Sequence, residues 1–257
     1  MITSTSNPKI KNIRHLQSRG KARREENSYV IEGIRLVEEA LQQGLRPDLL
    51  IYTNSLDERG KQLLEAFQKE NIQADLVSDQ VFQAASDTET PQGIMAVMQI
   101  PSPSDQIPAD FLVIADQIRD PGNLGTILRS ALAAGADRVL LPPGTVDPYS
   151  PKVVRSGMGA HFQLSIQEMD WDQIREATTG MQVLCAGMRR GVPIWEADLS
   201  RPTAVIIGSE AHGPGDQARS LTDSWIQIPM PGGAESLNAA VAAGVILFEV
   251  VRQRSQT

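Results

Sequence analysis

Three short stretches of the chain carry groups able to act on a ligand. The first is Asp120-Pro-Gly-Asn-Leu-Gly-Thr-Ile-Leu-Arg129, with Asn123 in a Gly/Pro turn and Arg129 on the helix that follows. Arg129 lies about 100° around that helix from Leu128, so it leans off the apolar face. An amide and a guanidinium at this edge can hold a phosphate or a ribose. The second is Ile206-Ile-Gly-Ser-Glu-Ala-His-Gly213, where Gly208 ends an apolar run and Glu210 follows it. A ligand's ring can lie against backbone that has no Cβ. The third is Ile228-Pro-Met-Pro-Gly-Gly-Ala-Glu-Ser-Leu-Asn238, rich in Pro and Gly, leading into a long apolar run. Ser236 reads as the N-cap of that helix and Asn238 as a first-turn residue, beside free backbone amides. Each stretch has a plainer reading: a helix cap with a solvated Arg129, a tight turn with a solvated Glu210, a flexible connection. Three glycine-containing loops after three apolar strands of one domain instead suggest a pocket of backbone groups.

Several chemistries lack their residues. No G-x-G-x-x-G or Gly-Lys-Ser/Thr spacing occurs, which disfavours dinucleotide and P-loop readings, a Rossmann-type oxidoreductase included. Cys185 is the single cysteine, so an internal disulfide and a cysteine-built zinc site are excluded. His15, His161 and His212 are too scattered to suggest a metal site, and no metal is expected. Cys185, His212, Met188 and Met230 each have an ordinary packing or turn reading. The formal net charge of -7 argues against coating nucleic acid by bulk charge, though not against a local basic patch. No apolar run approaches the roughly 18 residues of a membrane span. The first residues lack the apolar core of a signal peptide, so no membrane association and a cytoplasmic location are expected.

The elements that position these stretches form two α/β sets. The first 24 residues contain no acid but hold Lys9, Lys11, Arg14, Arg19, Lys21, Arg23 and Arg24. Asn7-Pro8 starts a helix there, with Ile10, Ile13 and Leu16 as a thin apolar stripe. This segment reads equally as an RNA-contacting arm or a solvated basic helix. Strands are expected at 28–32, 48–53, 74–77 and 93–100, with helices at 33–43, 58–70 and 80–85. The segment 101–108, with three prolines and no periodicity, divides the chain into domains 1–104 and 105–257. The second domain opens with the continuous apolar run 111–115, typical of a central parallel strand. A helix follows on Leu124, Leu128, Ala131 and Leu132, and strands are expected at 138–141, 162–166, 182–186, 204–208 and 224–228. In the last helix Leu237, Val241, Val245, Phe248 and Val251 recur at helical spacing and are expected to mark the buried face. This is a doubly wound pattern, in which ligands sit at the carboxyl ends of the strands.

The three stretches, in order and spacing, resemble the three motifs of the SpoU (TrmH) family of RNA 2′-O-methyltransferases, within the SPOUT superfamily. The similarity spans roughly 111–254. Asn7-Pro8-Lys-Ile-Lys, Val30-Ile-Glu-Gly-Ile-Arg35 and Thr90-Pro-Gln-Gly93 resemble the L30e-like substrate-binding domain found on many members. The resemblance implies a SPOUT domain with a parallel sheet and a deep C-terminal trefoil knot, which periodicity alone never reveals. It also implies an obligate homodimer. S-adenosyl-L-methionine is the implied methyl donor, S-adenosyl-L-homocysteine its product, and a ribose 2′-hydroxyl the acceptor. By position, Gly208, Ile228 and Leu237 correspond to cofactor-binding residues, with Ala186, Gly187 and Met230 beside them. Asn123, Arg129, Glu210, Ser236 and Asn238 correspond to the active-site set. Ala239-Ala240 stands where the family usually has Val-Ser, which removes a hydroxyl.

The chemistry itself constrains these roles. A 2′-hydroxyl is a poor nucleophile and must be aligned with the methyl–sulfur bond, while the departing thioether is neutral and needs no acid. A guanidinium keeps its proton, so Arg129 is expected to stabilise charge growing on the hydroxyl oxygen rather than to act as a base. The added N-terminal domain and its basic arm resemble ribosomal-RNA members of the family more than minimal single-domain members, a resemblance that favours ribosomal RNA, 23S in particular, over tRNA. A non-catalytic RNA-binding or ribosome-assembly factor on the same scaffold is the alternative from another class.

Overall fold

The computed structural model describes residues 1–102, 109–187, 191–209 and 212–256, which form two compact units. Most of the expected linker, 103–108, lies outside the described residues, as do Met188 and Glu210.

The first unit comprises Met1–Ser102 together with Tyr149–Phe162. Its four-stranded sheet runs in the order β1 (Ser28–Glu32), β4 (Ile94–Gln99), β2 (Leu49–Tyr52), β3 (Asp75–Leu76). The β1–β4 and β4–β2 pairings are antiparallel and β2–β3 is parallel. Side chains alternate across a strand, so each strand feeds two cores. Tyr29, Ile31, Leu50, Ile94, Ala96 and Met98 enter one, with Val37 of α3 (Ile34–Gln42) and Leu63 and Phe67 of α4 (Glu58–Lys69). Val30, Ile51, Met95 and Val97 enter the other, with Ile10, Ile13 and Leu16 of α1 (Pro8–Ser18) and Val81 and Phe82 of α5 (Asp79–Ala85). Burial on both faces explains the unbroken apolar runs in the sequence. A short helix, α2 (Gly20–Glu26), which the sequence reading does not separate, follows α1. The segment Tyr149–Phe162, placed by sequence in the second domain, groups with this unit for a concrete reason. Tyr149 and Val154 join the first core, and the Tyr149 ring lies 5.0 Å from that of Tyr29 and 5.5 Å from that of His161.

The second unit comprises Pro103–Pro148 and Gln163–Thr257. Its seven strands lie in the order β7 (Ser165–Glu168), β6 (Arg138–Leu141), β5 (Phe111–Ala115), β10 (Thr203–Ile207), β8 (Gln182–Ala186), β11 (Ser224–Gln227), β9 (Val192–Pro193). Every pairing is parallel. The chain runs outward from β5 in one direction, then returns to place β10 on its other side, so strand order reverses between β5 and β10. Helix α6 (Pro121–Ala133) begins with Asp120 as N-cap, its side chain accepting the Asn123 N–H at 2.8 Å, and Pro121 in the first turn. Asn123 is therefore capped rather than capping.

Helix α10 (Ala239–Arg254) packs on α6 and corrects two expectations. Its N-cap is Asn238, not Ser236: the Asn238 side chain accepts from the N–H groups of Ala240 and Val241 at 3.0 and 3.3 Å. Its buried face is Ala239, Ala240, Ala243, Ile246, Leu247 and Val250. Val241, Val245 and Phe248 are 52%, 40% and 51% exposed. Small residues let α10 approach its neighbours closely, so the alanines turn inward and the larger apolar side chains form an uncovered stripe at i, i+4 and i+7. Among the described residues no helix is long and apolar enough to cross a membrane.

Candidate active site

The loops after β8, β10 and β11, together with the start of α10, line a single cleft at the carboxyl edge of the parallel sheet. Ala186 and Gly187 come from the first loop, Gly208 and Ser209 from the second, and Ile228, Met230, Ser236 and Leu237 from the third. Ile207, Ile226, Ala242 and Ile246 form its apolar floor. All six positions expected to bind a cofactor thus share one cleft. Its walls are largely backbone and aliphatic, and among the described residues no Lys or Arg lines it. The cleft is narrow, about 90 Å³.

Local bonding fixes the walls. The Gly187 N–H donates to the Ile226 carbonyl at 2.8 Å, joining the end of β8 to β11. Ser209 and Gly213 exchange backbone hydrogen bonds of 3.2 and 2.8 Å. Gly213 and Pro214 crowd Gly208, where an added Cβ would land inside their backbone. The glycine is therefore needed for close approach of the loop to its own strand. Cys185, just below this rim, is fully buried, and burial pushes its thiol up to about 12, so it is an inert packing residue.

A second, adjoining hollow is lined by Gln117, Ile118, Arg119, Asp120, Asn123 and His212, and shares Ser209 and Ala239 with the cleft. Here the first and third motifs meet: the Asn238 side-chain amide donates to the Asn123 side-chain oxygen at 2.9 Å. Arg129 is exposed on α6, lines neither hollow, and has no hydrogen bond or ion pair among the described residues. It lies six positions after Asn123, about 9 Å further along the helix. Ser236 is exposed on the rim of the cleft. Of the expected active-site set, Asn123, Ser236 and Asn238 are gathered around the two hollows, Arg129 stands apart, and Glu210 is outside the described residues.

Two neighbouring residues escape sequence reasoning. Asp116 follows β5 directly and is 1% exposed, the only buried acid among the described residues. It accepts the Gly215 N–H at 2.6 Å, which ties the loop after β10 to the end of β5. Burial raises its carboxyl above the ordinary range, and the Gly215 N–H partly offsets this. Gln117 beside it has φ of +53°, a left-handed conformation uncommon for a non-glycine residue. The available signal was positional: Asp116 is the first polar residue after the apolar run 111–115. Among the described residues no cluster of His, Cys, Asp or Glu could hold a metal ion.

Two outcomes follow from this packing. Gly208→Ala forces Gly213 and Pro214 away from β10 and is expected to cost about 1–3 kcal/mol, read by urea denaturation; an unchanged midpoint would contradict the close approach. A raised carboxyl value means that the native state holds the Asp116 proton more tightly than the unfolded chain. The group's cost is then absent at low pH and grows as pH rises from the ordinary carboxyl value through the native one. Asp116→Asn keeps an oxygen for Gly215 without the charge. Its unfolding midpoint should gain on the natural protein as pH rises above the ordinary carboxyl value, and a gap independent of pH would argue against the assignment.

Comparison with known proteins agrees with this geometry. The SpoU rRNA methylase family matches residues 110–248, and the MRM3-like substrate binding domain matches residues 7–96. The 23S rRNA (guanosine(2553)-2′-O)-methyltransferase RlmP of Bacillus subtilis is 34% identical, across 97% of this chain and 98% of that protein. The 23S rRNA (uridine(2479)-2′-O)-methyltransferase of Streptomyces viridochromogenes is 35% identical, across 88% of this chain and 83% of that one. The crystal structure of an AdoMet-bound rRNA methyltransferase from Sinorhizobium meliloti superposes with a TM-score of 0.83 at 31% identity, covering 98% of this chain and 97% of that one. With both halves of the chain matched and its three motif loops converging on one edge of the sheet, the protein belongs to the SpoU rRNA methylase family.

Proposed function

We propose that this protein transfers a methyl group from S-adenosylmethionine to a ribose 2′-hydroxyl of RNA, with 23S ribosomal RNA as the substrate. The observation that carries this reading is the convergence of Ala186, Gly187, Gly208, Ile228, Met230 and Leu237 on one cleft, next to the bonded pair Asn123 and Asn238. Two relatives named for 23S rRNA 2′-O-methylation, over nearly the whole chain in one case, support the substrate class. A structural neighbour that binds AdoMet supports the donor.

The cleft fits that donor chemically. Backbone N–H and C=O groups suit an adenine edge and a ribose, and the aliphatic floor suits the ring. The donor supplies an activated methyl group whose departure leaves a neutral thioether. The chain's own residues do the rest. Widening so narrow a cleft falls to the 229–237 loop, whose one backbone bond of its own joins the Gly233 N–H to the Met230 carbonyl at 3.1 Å. Asn123 and Asn238, each fixed at a helix start, orient the acceptor ribose in the adjoining hollow. Arg129, with its guanidinium uncommitted, stabilises charge developing on the 2′-oxygen or grips a neighbouring phosphate. Glu210 and Ser236 complete the set. Apposition of two copies through the Val241, Val245 and Phe248 stripe gives the homodimer, and a C-terminal trefoil knot and a cytoplasmic location complete the reading. An unknotted experimental chain trace would remove the knot, and fractionation placing the protein at a membrane would remove the location.

Calorimetry with S-adenosylhomocysteine and mapping of ribose methylation with and without the protein test the function; a folded protein that binds no donor and methylates no RNA defeats it. Arg129→Ala is expected to lower turnover by about 100-fold or more while leaving donor affinity unchanged. Arg129→Lys keeps charge without the fork and should recover only part of that loss. Normal turnover in a folded Arg129→Ala protein removes the role given to this residue. Val245→Glu with Phe248→Glu is expected to give a folded monomer in sedimentation, and an intact dimer would place the interface elsewhere.

A further inference from the structure

A hollow of about 570 Å³ lies on the first unit between the second half of α1 and the C-terminal end of α5. Lys11, Arg14 and Arg19 line it, with Ala84 and Ala85 beside them. All three cations are exposed, and none has a side-chain hydrogen bond or an ion pair among the described residues. The one acid on the rim, Asp87, is already neutralised by Arg155, whose guanidinium donates to it at 2.9 Å. Three other basic residues of this acid-free segment are committed, while Arg24 is exposed and lies outside the hollow. Arg23 is 5% exposed and gives its guanidinium to the carbonyls of Leu16 and Gln17. Lys9 pairs with Asp75 at 2.5 Å, and Lys21 with Glu25 at 3.5 Å. Of the seven cations, Lys9, Lys21 and Arg23 are paired, and of the four that are free among the described residues, Lys11, Arg14 and Arg19 share one concavity.

Three uncompensated positive charges around a concave surface, in a chain of formal net charge -7, form a local site for a polyanion. Arg14 and Arg19 offer planar forks that match phosphate oxygens, and Lys11 adds a point charge. Small side chains at 84 and 85 leave room for a strand. A bilayer surface is the poorer match, because it is not received by a hollow and needs apolar anchors. Met1 is the only large exposed apolar residue described on this unit. We propose that this hollow holds the sugar–phosphate backbone of the RNA substrate, so that the first unit grips RNA by charge and shape and not by base identity. The proposal rests on the methyl-transfer reading for the identity of the polyanion.

The test uses the full chain carrying Lys11→Ala, Arg14→Ala and Arg19→Ala together. Binding is measured by fluorescence anisotropy across a salt series, with a large-subunit ribosomal RNA transcript and an unrelated RNA of equal length. A second triple variant, Arg46→Ala, Lys61→Ala and Lys69→Ala, makes the same charge change elsewhere on the unit. The first triple should weaken both RNAs by roughly 10–100-fold at low salt and make the log–log salt slope shallower by about 2–3. Its donor affinity and unfolding midpoint should match the natural protein, and the second triple should retain most RNA affinity. Natural affinity and slope in the first triple, or an equal loss in the second, overturns the proposal. So does loss of binding to phosphatidylserine vesicles with RNA binding intact. A natural protein that shows the expected RNA slope but transfers no methyl group defeats the functional reading and leaves the groove supported; one that binds no RNA defeats both.

Discussion

The second unit depends on what Asn238 does with one side chain. Its oxygen accepts two backbone N–H groups at the start of α10, and its amide donates to Asn123 in the first turn of α6. A capping interaction of this kind is worth about 1 kcal/mol. Its larger effect is geometric, because it sets the start of the last helix against the start of the first helix of the unit. Asp120 fixes α6 at the same end, and the packing of α10 on α6 fixes the other direction. The third loop is left bridging β11 and α10, which is why its backbone lines a cleft instead of trailing into solvent.

A buried carboxylate gives the same edge its second anchor. Asp116 sits where strand order reverses, between β5 and β10, and pulls Gly215 onto the end of β5. An aliphatic residue there would avoid the desolvation cost that raises its carboxyl value. Keeping the acid holds Gly215 at the end of β5, with Gly213 and Pro214 against Gly208, at the expense of stability. The left-handed Gln117 next to it is a further local cost at the same place. Strain and buried charge thus collect at one rim of an otherwise ordinary parallel sheet.

Much of this was legible in the sequence because it rests on backbone. Gly and Pro at strand ends announce loops whose backbone lines the cleft, and their order matches the family pattern without any side-chain contact being known. The apolar runs of both sheets were equally plain, since strands buried on two faces need no alternation. What failed to read was whatever depends on which surface finds a partner. The spacing of Val241, Val245 and Phe248 is that of a buried face, yet the alanine side of α10 turns inward. Periodicity detects a stripe but does not distinguish a core from an uncovered surface. Tyr149–Phe162 leaves the unit that flanks it because Tyr149 finds Tyr29, a pairing of residues 120 positions apart that no local pattern encodes. Of the seven basic residues near the N-terminus, only structure separates Arg23, spent on carbonyls, from Lys11, Arg14 and Arg19, which are spent on nothing.

The departure at Ala239-Ala240 follows the same logic. Where the family usually has Val-Ser, this chain places two alanines, 6% and 4% exposed, against the body of the unit. Position 240 gives its N–H to the oxygen of Asn238, and any residue but proline supplies that donor. Losing the hydroxyl therefore leaves the cap and the Asn238–Asn123 bond standing. Recognition built from main chain tolerates side-chain change around it, whereas a charge placed on an exposed helix face, as Arg129 is, has no substitute in the backbone. On the proposed function the site divides accordingly: the donor cleft rests on glycines and loop geometry, and the acceptor side rests on a few side chains, of which Asn123 and Asn238 are held by each other and Arg129 is exposed.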